Sequence, residues 1–201
     1  MRTSPAAFAL LLVMLCPLSA CGPLLYYAEP IHGTVVDSET QQPLIGAVVV
    51  AQWVVGKGPR AEPHTYELSE ALTDPDGRYT LPGWGPRLRP LNARFYYSAP
   101  RLIVFKNGFV PAFFDNRNGG DCMVHSSEWN GKPLQISPFH GGADDRAQQL
   151  LNLINVCRDR RDSHGQALPE LYHELLKEMP HAGKERLVVI DEDAKMCIEG
   201  K

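Results

Sequence analysis

The sequence predicts a mostly β chain with helices at its C-terminal end, an α+β class. Seventeen Gly and seventeen Pro among 201 residues reverse the chain too often for long helices. Between Ile31 and Ser137 the apolar residues fall in short runs that alternate with period two or are strongly β-branched. After Ala143 the apolar spacing changes to three and four, the period of a helix.

Composition limits what such a chain can be. With 44% hydrophobic and 21% charged residues it is foldable rather than disordered. A chain this long buries roughly 70% of its unfolded surface, so its core requires neither metal nor a dense disulfide framework. Twenty Lys and Arg against 23 Asp and Glu leave a formal charge of -3, and no basic stripe recommends nucleic acid as a partner. A fibre, a coiled coil and a polytopic membrane protein are excluded.

The N-terminal segment carries one positive charge, Arg2, and then runs apolar from Ala6 to Leu15. About ten residues cannot cross a bilayer as a helix, which takes about 20, but they match the apolar region of a secretory signal peptide. Leu18-Ser19-Ala20-Cys21-Gly22 follows and resembles the lipobox of bacterial lipoproteins. The resemblance implies cleavage before Cys21, a diacylglycerol on its thiol and an acyl chain, such as palmitate, on its amine. A simple secretory signal with a chance cysteine is the alternative. Gly22 stands where the family's inner-membrane retention signal has aspartate. The expected location is therefore the cell envelope, anchored by lipid to the outer membrane and facing the periplasm. Pro23 to Pro30 reads as a tether whose Leu24, Leu25, Tyr26 and Tyr27 can lie at the interface or start a strand.

Ile31 to Asp37 is a strand, closed by the polar turn Ser38 to Pro43. Gly46 to Val55 is β-branched and apolar throughout, a largely buried strand. Tyr66 to Thr73 and Arg78 to Leu81 flank Asp74-Pro75-Asp76-Gly77, with Pro and Gly where a type I turn wants them, and predict a hairpin. Pro82 to Pro90 reads as an irregular connection. Leu102 to Phe105 resumes the strand pattern, Lys106-Asn107-Gly108 turns, and Phe109-Val110 is expected to pair back. Pro133 to Ser137 alternates and would close a sheet edge. Some seven short strands at this spacing predict a sandwich or barrel.

Within this run, Gly33-Thr34-Val35-Val36-Asp37, Pro43 to Val50, Thr73 to Leu81 and Val104 to Phe109 occur in an order that resembles the carboxypeptidase regulatory-like domain. The resemblance spans Ile31 to Phe114 and implies a seven-strand transthyretin-like (prealbumin-like) β-sandwich. That module recurs beside unrelated proteins, and no active residue is carried over from it. The expected organisation is a signal peptide over 1–20, a tether over 21–30, the sandwich over 31–138 and a helical extension over 139–201.

In that extension Ala147, Leu150, Leu151, Ile154 and Cys157 form one apolar stripe, and Leu168, Leu171, Leu175 and Leu176 a second. Asp144 and Asp145 suit the first helix's N-terminal end and Arg158 its last turn. Both stripes are expected to pack on the sandwich or on each other, with a membrane-surface role as the lesser reading. Leu187 to Ile190 reads as a last strand.

Cys16 leaves with the signal and Cys21 is taken by lipid, so Cys122, Cys157 and Cys197 remain. Export places them where thiols pair, and three pairings are open. Cys157–Cys197 is preferred because it pins the C-terminal tail to the first helix, leaving Cys122 a free thiol. Catalytic and metal motifs fail on inspection. Cys122 and His125 have metal-ligand spacing but no second pair. His173-Glu174-Leu175-Leu176-Lys177 lacks the second histidine of a zinc peptidase signature. Asp37, Asp74 and Asp76 sit where turns want Asx side chains, in preference to a calcium site. No cofactor and no enzymatic activity are expected.

Trp53 lies in the most apolar strand and reads as core. Trp84, between glycines, either caps one end of the sandwich or presents an indole that stacks on a sugar. The expected function is non-enzymatic: a lipid-anchored envelope protein that binds or scaffolds. A carbohydrate-binding module working through Trp84 is the alternative. The expected partners are membrane lipid through acylated Cys21 and an envelope protein or glycan.

Overall fold

The computed structural model describes residues 25–56, 63–88, 93–96, 99–117, 123–158, 167–178, 194–195 and 197–198. The class is as the sequence predicts, strands first and helices last. Eleven strands are described: β1 (Leu25–Ala28), β2 (Ile31–Asp37), β3 (Val48–Gly56), β4 (His64–Leu72), β5 (Arg78–Leu81), β6 (Trp84–Leu88), β7 (Arg94–Phe95), β8 (Arg101–Phe105), β9 (Ala112–Phe114), β10 (Val124–His125) and β11 (Pro133–Ile136). Two helices follow, α1 (Ala143–Arg158) and α2 (Pro169–Glu178).

The strands form three sheets, ordered β10-β1-β6, β11-β2-β5 and β4-β3-β8-β9, with β7 pairing the end of β3. Among the described residues none closes into a barrel. The two small sheets are nearly continuous. β1 runs into β2 and β5 into β6, so that Leu25 pairs with Leu88, Ala28 with Trp84, and Ile31 with Leu81 along one antiparallel ladder. That ladder packs on one face of the large sheet, joining Tyr26, Val35, Leu81 and Ile136 to Val49, Ala51, Trp53, Leu102 and Val104. The opposite face of the large sheet carries Val48, Val50, Leu68, Ile103 and Phe105, and both helices cover it. This is why β3 has no polar face: it is the central layer of three. Its one polar residue, Gln52, is buried, and its amide donates to Thr65 Oγ1 at 2.8 Å.

Of the two readings of the tether's apolar residues, the strand is the one that forms. Leu25–Ala28, expected within a tether, is a paired strand whose Tyr26 is fully buried. Pro82 to Pro90, expected to be irregular, contains β6 despite the Gly85-Pro86 cis peptide. The strand is possible there because β6 is the edge of its sheet, where a proline's missing N–H costs no ladder bond.

The Asp74–Gly77 turn forms as read, and the hairpin does not. Asp74 Oδ1 accepts from the backbone N–H of Asp76 and Arg78 at 2.9 and 2.8 Å, and Gly77 holds φ +72°. A Cβ at Gly77 would lie 2.7 Å from the Val35 carbonyl oxygen, so only glycine fits. Beyond the turn the chain changes sheets: β4 pairs with β3, whereas β5 pairs with β2. The turn is a corner between layers. Phe109 and Val110 likewise do not pair back on β8. Phe109 bridges Pro138, Val110 N–H donates to the Ser137 carbonyl at 2.8 Å, and pairing with β8 waits until Ala112. β11 does close an edge, lying parallel beside β2.

Candidate functional site

Cys21 lies outside the described residues, as do Cys122 and the strand expected at Leu187 to Ile190. Cys157 and Cys197 are joined in a disulfide, the pair preferred from the sequence. Both are buried under the helices. In the chain-entropy model, closing a loop across 40 residues stabilises by about 4 kcal/mol.

Of the two readings of Trp84, the structure agrees with the cap. Trp84 sits in β6, only 9% exposed, and both the strand and its neighbours withdraw the indole from solvent. Its ring stacks at 29° on Phe95 and 27° on His125, each with centroids 6.1 Å away, and meets Trp53 edge-on at 5.7 Å. The Arg87 guanidinium, ion-paired with the buried Glu67, lies 5.4 Å from the ring centroid. Little of the indole is left for a ligand to reach. Trp84 is the cap of one end of the core rather than a ligand platform. Burial also pushes the Tyr66 hydroxyl pKa up in this cluster, with Arg87 opposing it. Outside the cluster, Tyr27, Ala28, Gly83, Gly85 and Pro86 line a shallow concavity of about 380 Å³ with the rim of Trp84.

The residues that the metal readings invoked are placed elsewhere. His125 packs its ring 4.1 Å from Phe95. Asp37 Oδ1 accepts the Glu39 N–H at 2.8 Å in the same turn chemistry as Asp74. Among the described residues, no three His, Cys, Asp or Glu converge as metal ligands.

A second polar centre was not singled out from the sequence. On α1 Arg146 is 2% exposed, and it pairs with Glu178 of α2 through two nitrogens. Its remaining donors reach the Phe109 carbonyl at 2.6 Å and Gln149 at 3.3 Å. Glu178 also accepts the Gly108 N–H at 2.5 Å, and Glu174 the Asn107 N–H at 2.8 Å. Two helices are thereby clamped to the turn between β8 and β9. Glu174, the acid of the truncated peptidase signature, is a docking residue. A signal for this existed: Glu174 and Glu178 recur in phase with Leu171 and Leu175, so the apolar stripe of α2 carries two carboxylates. Beside the clamp is an open concavity of about 300 Å³ lined by Phe139, Gly141, Gly142 and Ala143.

No family model and no curated protein matches the chain. Among solved structures, the crystal structure of a 9R-lipoxygenase from Cyanothece PCC8801 is similar at 12% identity over 69% of this chain, with a TM-score of 0.30. The chain covers 24% of that protein's length, and a likeness so slight carries no argument about fold or activity.

Proposed function

We propose that the protein is a non-enzymatic lipoprotein of the cell envelope, held to the outer membrane by acylated Cys21, whose sheet-built body binds or scaffolds another envelope component. In this reading the ladder and the large sheet are the two layers of a transthyretin-like sandwich, with the additional strands extending it at the Trp84 end.

One observation carries the reading: an apolar run of signal-peptide length is followed, after Cys16 and Pro17, by Leu18-Ser19-Ala20-Cys21. Two acyl signals at one residue give stable anchoring, since each buried methylene contributes about 0.8 kcal/mol. The Cys157–Cys197 bridge supports export, because such bonds persist in oxidising compartments. Sugar stacking on Trp84 has no support from the buried indole.

The test is Cys21→Ser in the full chain, expressed in a bacterial envelope. The parent is expected to partition into detergent and to carry acyl mass on Cys21, and the variant to lose both. Recovery of the parent in the aqueous phase with Cys21 unmodified would overturn the anchoring.

A further inference from the structure

Four large apolar residues are exposed at one end of the body, and it is the end where the chain enters the fold. Leu25 (42% exposed) begins β1, Leu88 (77%) is its direct cross-strand partner at the end of β6, and Met123 (47%) precedes β10. The backbone ties them together, since Tyr27 N–H donates to the Met123 carbonyl at 3.0 Å. Tyr96 (37%) belongs to the same end, because Phe95 beside it packs 4.9 Å from Tyr26 and β7 pairs with the last residues of β3.

From these residues we infer that the Leu25–Leu88 end rests in the bilayer surface that holds the acyl chains of Cys21, so that the body is oriented on the membrane rather than hanging from it. The inference rests on the anchoring proposed above. Three residues separate Cys21 from Leu25, four steps along the chain and a span of at most about 14 Å. A tether that short keeps this end at high effective concentration beside the lipid. Directly paired leucines facing solvent are costly in water and favourable at an acyl boundary, and a tyrosine suits the polar side of that boundary. The other end lies away from the tether. Ile45 and Leu72 are exposed there, beside the far end of the ladder, roughly 20 Å further along β2. There Lys106 Nζ donates to the Ile45 carbonyl at 2.6 Å, placing a charge beside Ile45 next to the turn that the helices clamp.

The experiment uses the full acylated chain reconstituted in phosphatidylethanolamine–phosphatidylglycerol vesicles with and without brominated acyl chains. Leu88→Trp and, as an independent reporter, Leu25→Trp are compared with Ile45→Trp, the emission of the three native tryptophans being subtracted. Bromolipid is expected to quench the added emission at positions 88 and 25 and to leave that at 45 unchanged. Equal quenching at all three, or none, in a preparation whose intact mass shows acylated Cys21 would overturn the orientation while leaving the anchor standing. Dimerisation of the vesicle-bound protein with emission at 88 shielded but unquenched would assign the leucines to a second copy and overturn it as well. An unmodified Cys21 would remove the anchoring, and this inference with it.

Discussion

Val49, Ala51 and Trp53 point from β3 into the core between the sheets, while Val48 and Val50 point into the core beneath the helices. These two cores, one residue apart along a single strand, treat buried polar atoms differently. Between the sheets three ring tips are left unpaired: among the described residues Trp53 Nε1, Trp84 Nε1 and the Tyr79 hydroxyl have no hydrogen-bond partner, while the buried Glu67 beside Trp84 is ion-paired with Arg87. Beneath the helices the buried charges of Arg146, Glu174 and Glu178 are each bonded, as is the neutral amide of Gln52. Magnitudes explain the contrast. A buried indole or phenol removes 150–250 Å² from water, about 4–6 kcal/mol, and outweighs an unsatisfied tip costing roughly 1–3 kcal/mol. No apolar body accompanies a carboxylate on that scale, so a charge is buried only with its partners.

The largest expected effect therefore lies beneath the helices. Arg146→Ala leaves Glu178 buried without its guanidinium, and the expected loss is about 3–5 kcal/mol by chemical denaturation. Pairing Arg146→Met with Glu178→Gln removes both charges and keeps an acceptor for the Gly108 N–H. That double variant is expected to recover more than half of the loss. A single variant that unfolds like the parent would show that the clamp contributes nothing and that the aliphatic stripe alone docks the helices.

The same contrast explains what was legible in the sequence. Alternation and β-branching report area, so β2, β3, β5 and β8 were readable, as was the helical period that ends in Cys157. The partners of charged groups are set by topology. Arg146 and Glu178 lie 32 residues apart, and Glu178 and Gly108 lie 70 apart, distances over which no local pattern operates. Punctuation misleads where an edge makes it harmless: Gly85-Pro86 reads as loop, yet among the described residues its strand is the edge of its sheet. The turn at Asp74–Gly77 was legible, because Asx and glycine chemistry are local, but which strand follows on which sheet is not. Trp84 was read in both senses, and strand pairing with β1 decided for the core.

Between the sheets a smaller and opposite effect is expected. Tyr79 pairs across the ladder with Gly33, and a Cβ on Gly33 would stand 2.8 Å from the Tyr79 hydroxyl oxygen. The glycine makes room for the ring, as strand glycines facing aromatics do. Burial pushes the Tyr79 pKa far above the usual tyrosine range. Tyr79→Phe keeps the ring and deletes a hydroxyl without a partner, so stability is expected to stay level or rise by up to about 1 kcal/mol. Thermal unfolding checks this. A loss beyond that size would mean that the core between the sheets satisfies its polar atoms too, and the contrast with the helical side would fail.

The finest test sits where the helical layer meets the edge of the large sheet. Glu70 on β4 accepts the backbone N–H groups of Glu170 and Leu171 at 2.9 and 3.0 Å, capping the start of α2 from another element. Its carboxyl is half-buried, and burial raises its pKa above the ordinary 4.5, outweighing the two N–H bonds that lower it. A raised native-state pKa means that the folded protein keeps this proton where the unfolded chain has released it. The associated stability is complete below about pH 4.5 and is lost as pH rises through the native value. Glu70→Gln cannot titrate, so the variant's melting temperature minus the parent's is expected to become more positive between pH 4 and pH 7. The change should stay below about 1 kcal/mol, the scale of a charge at a helix end. A difference that grows more negative over that range would show that the N–H bonds outweigh burial. Glu70 would then belong with Glu174 and Glu178 as a carboxylate whose charge stabilises the docking of α2.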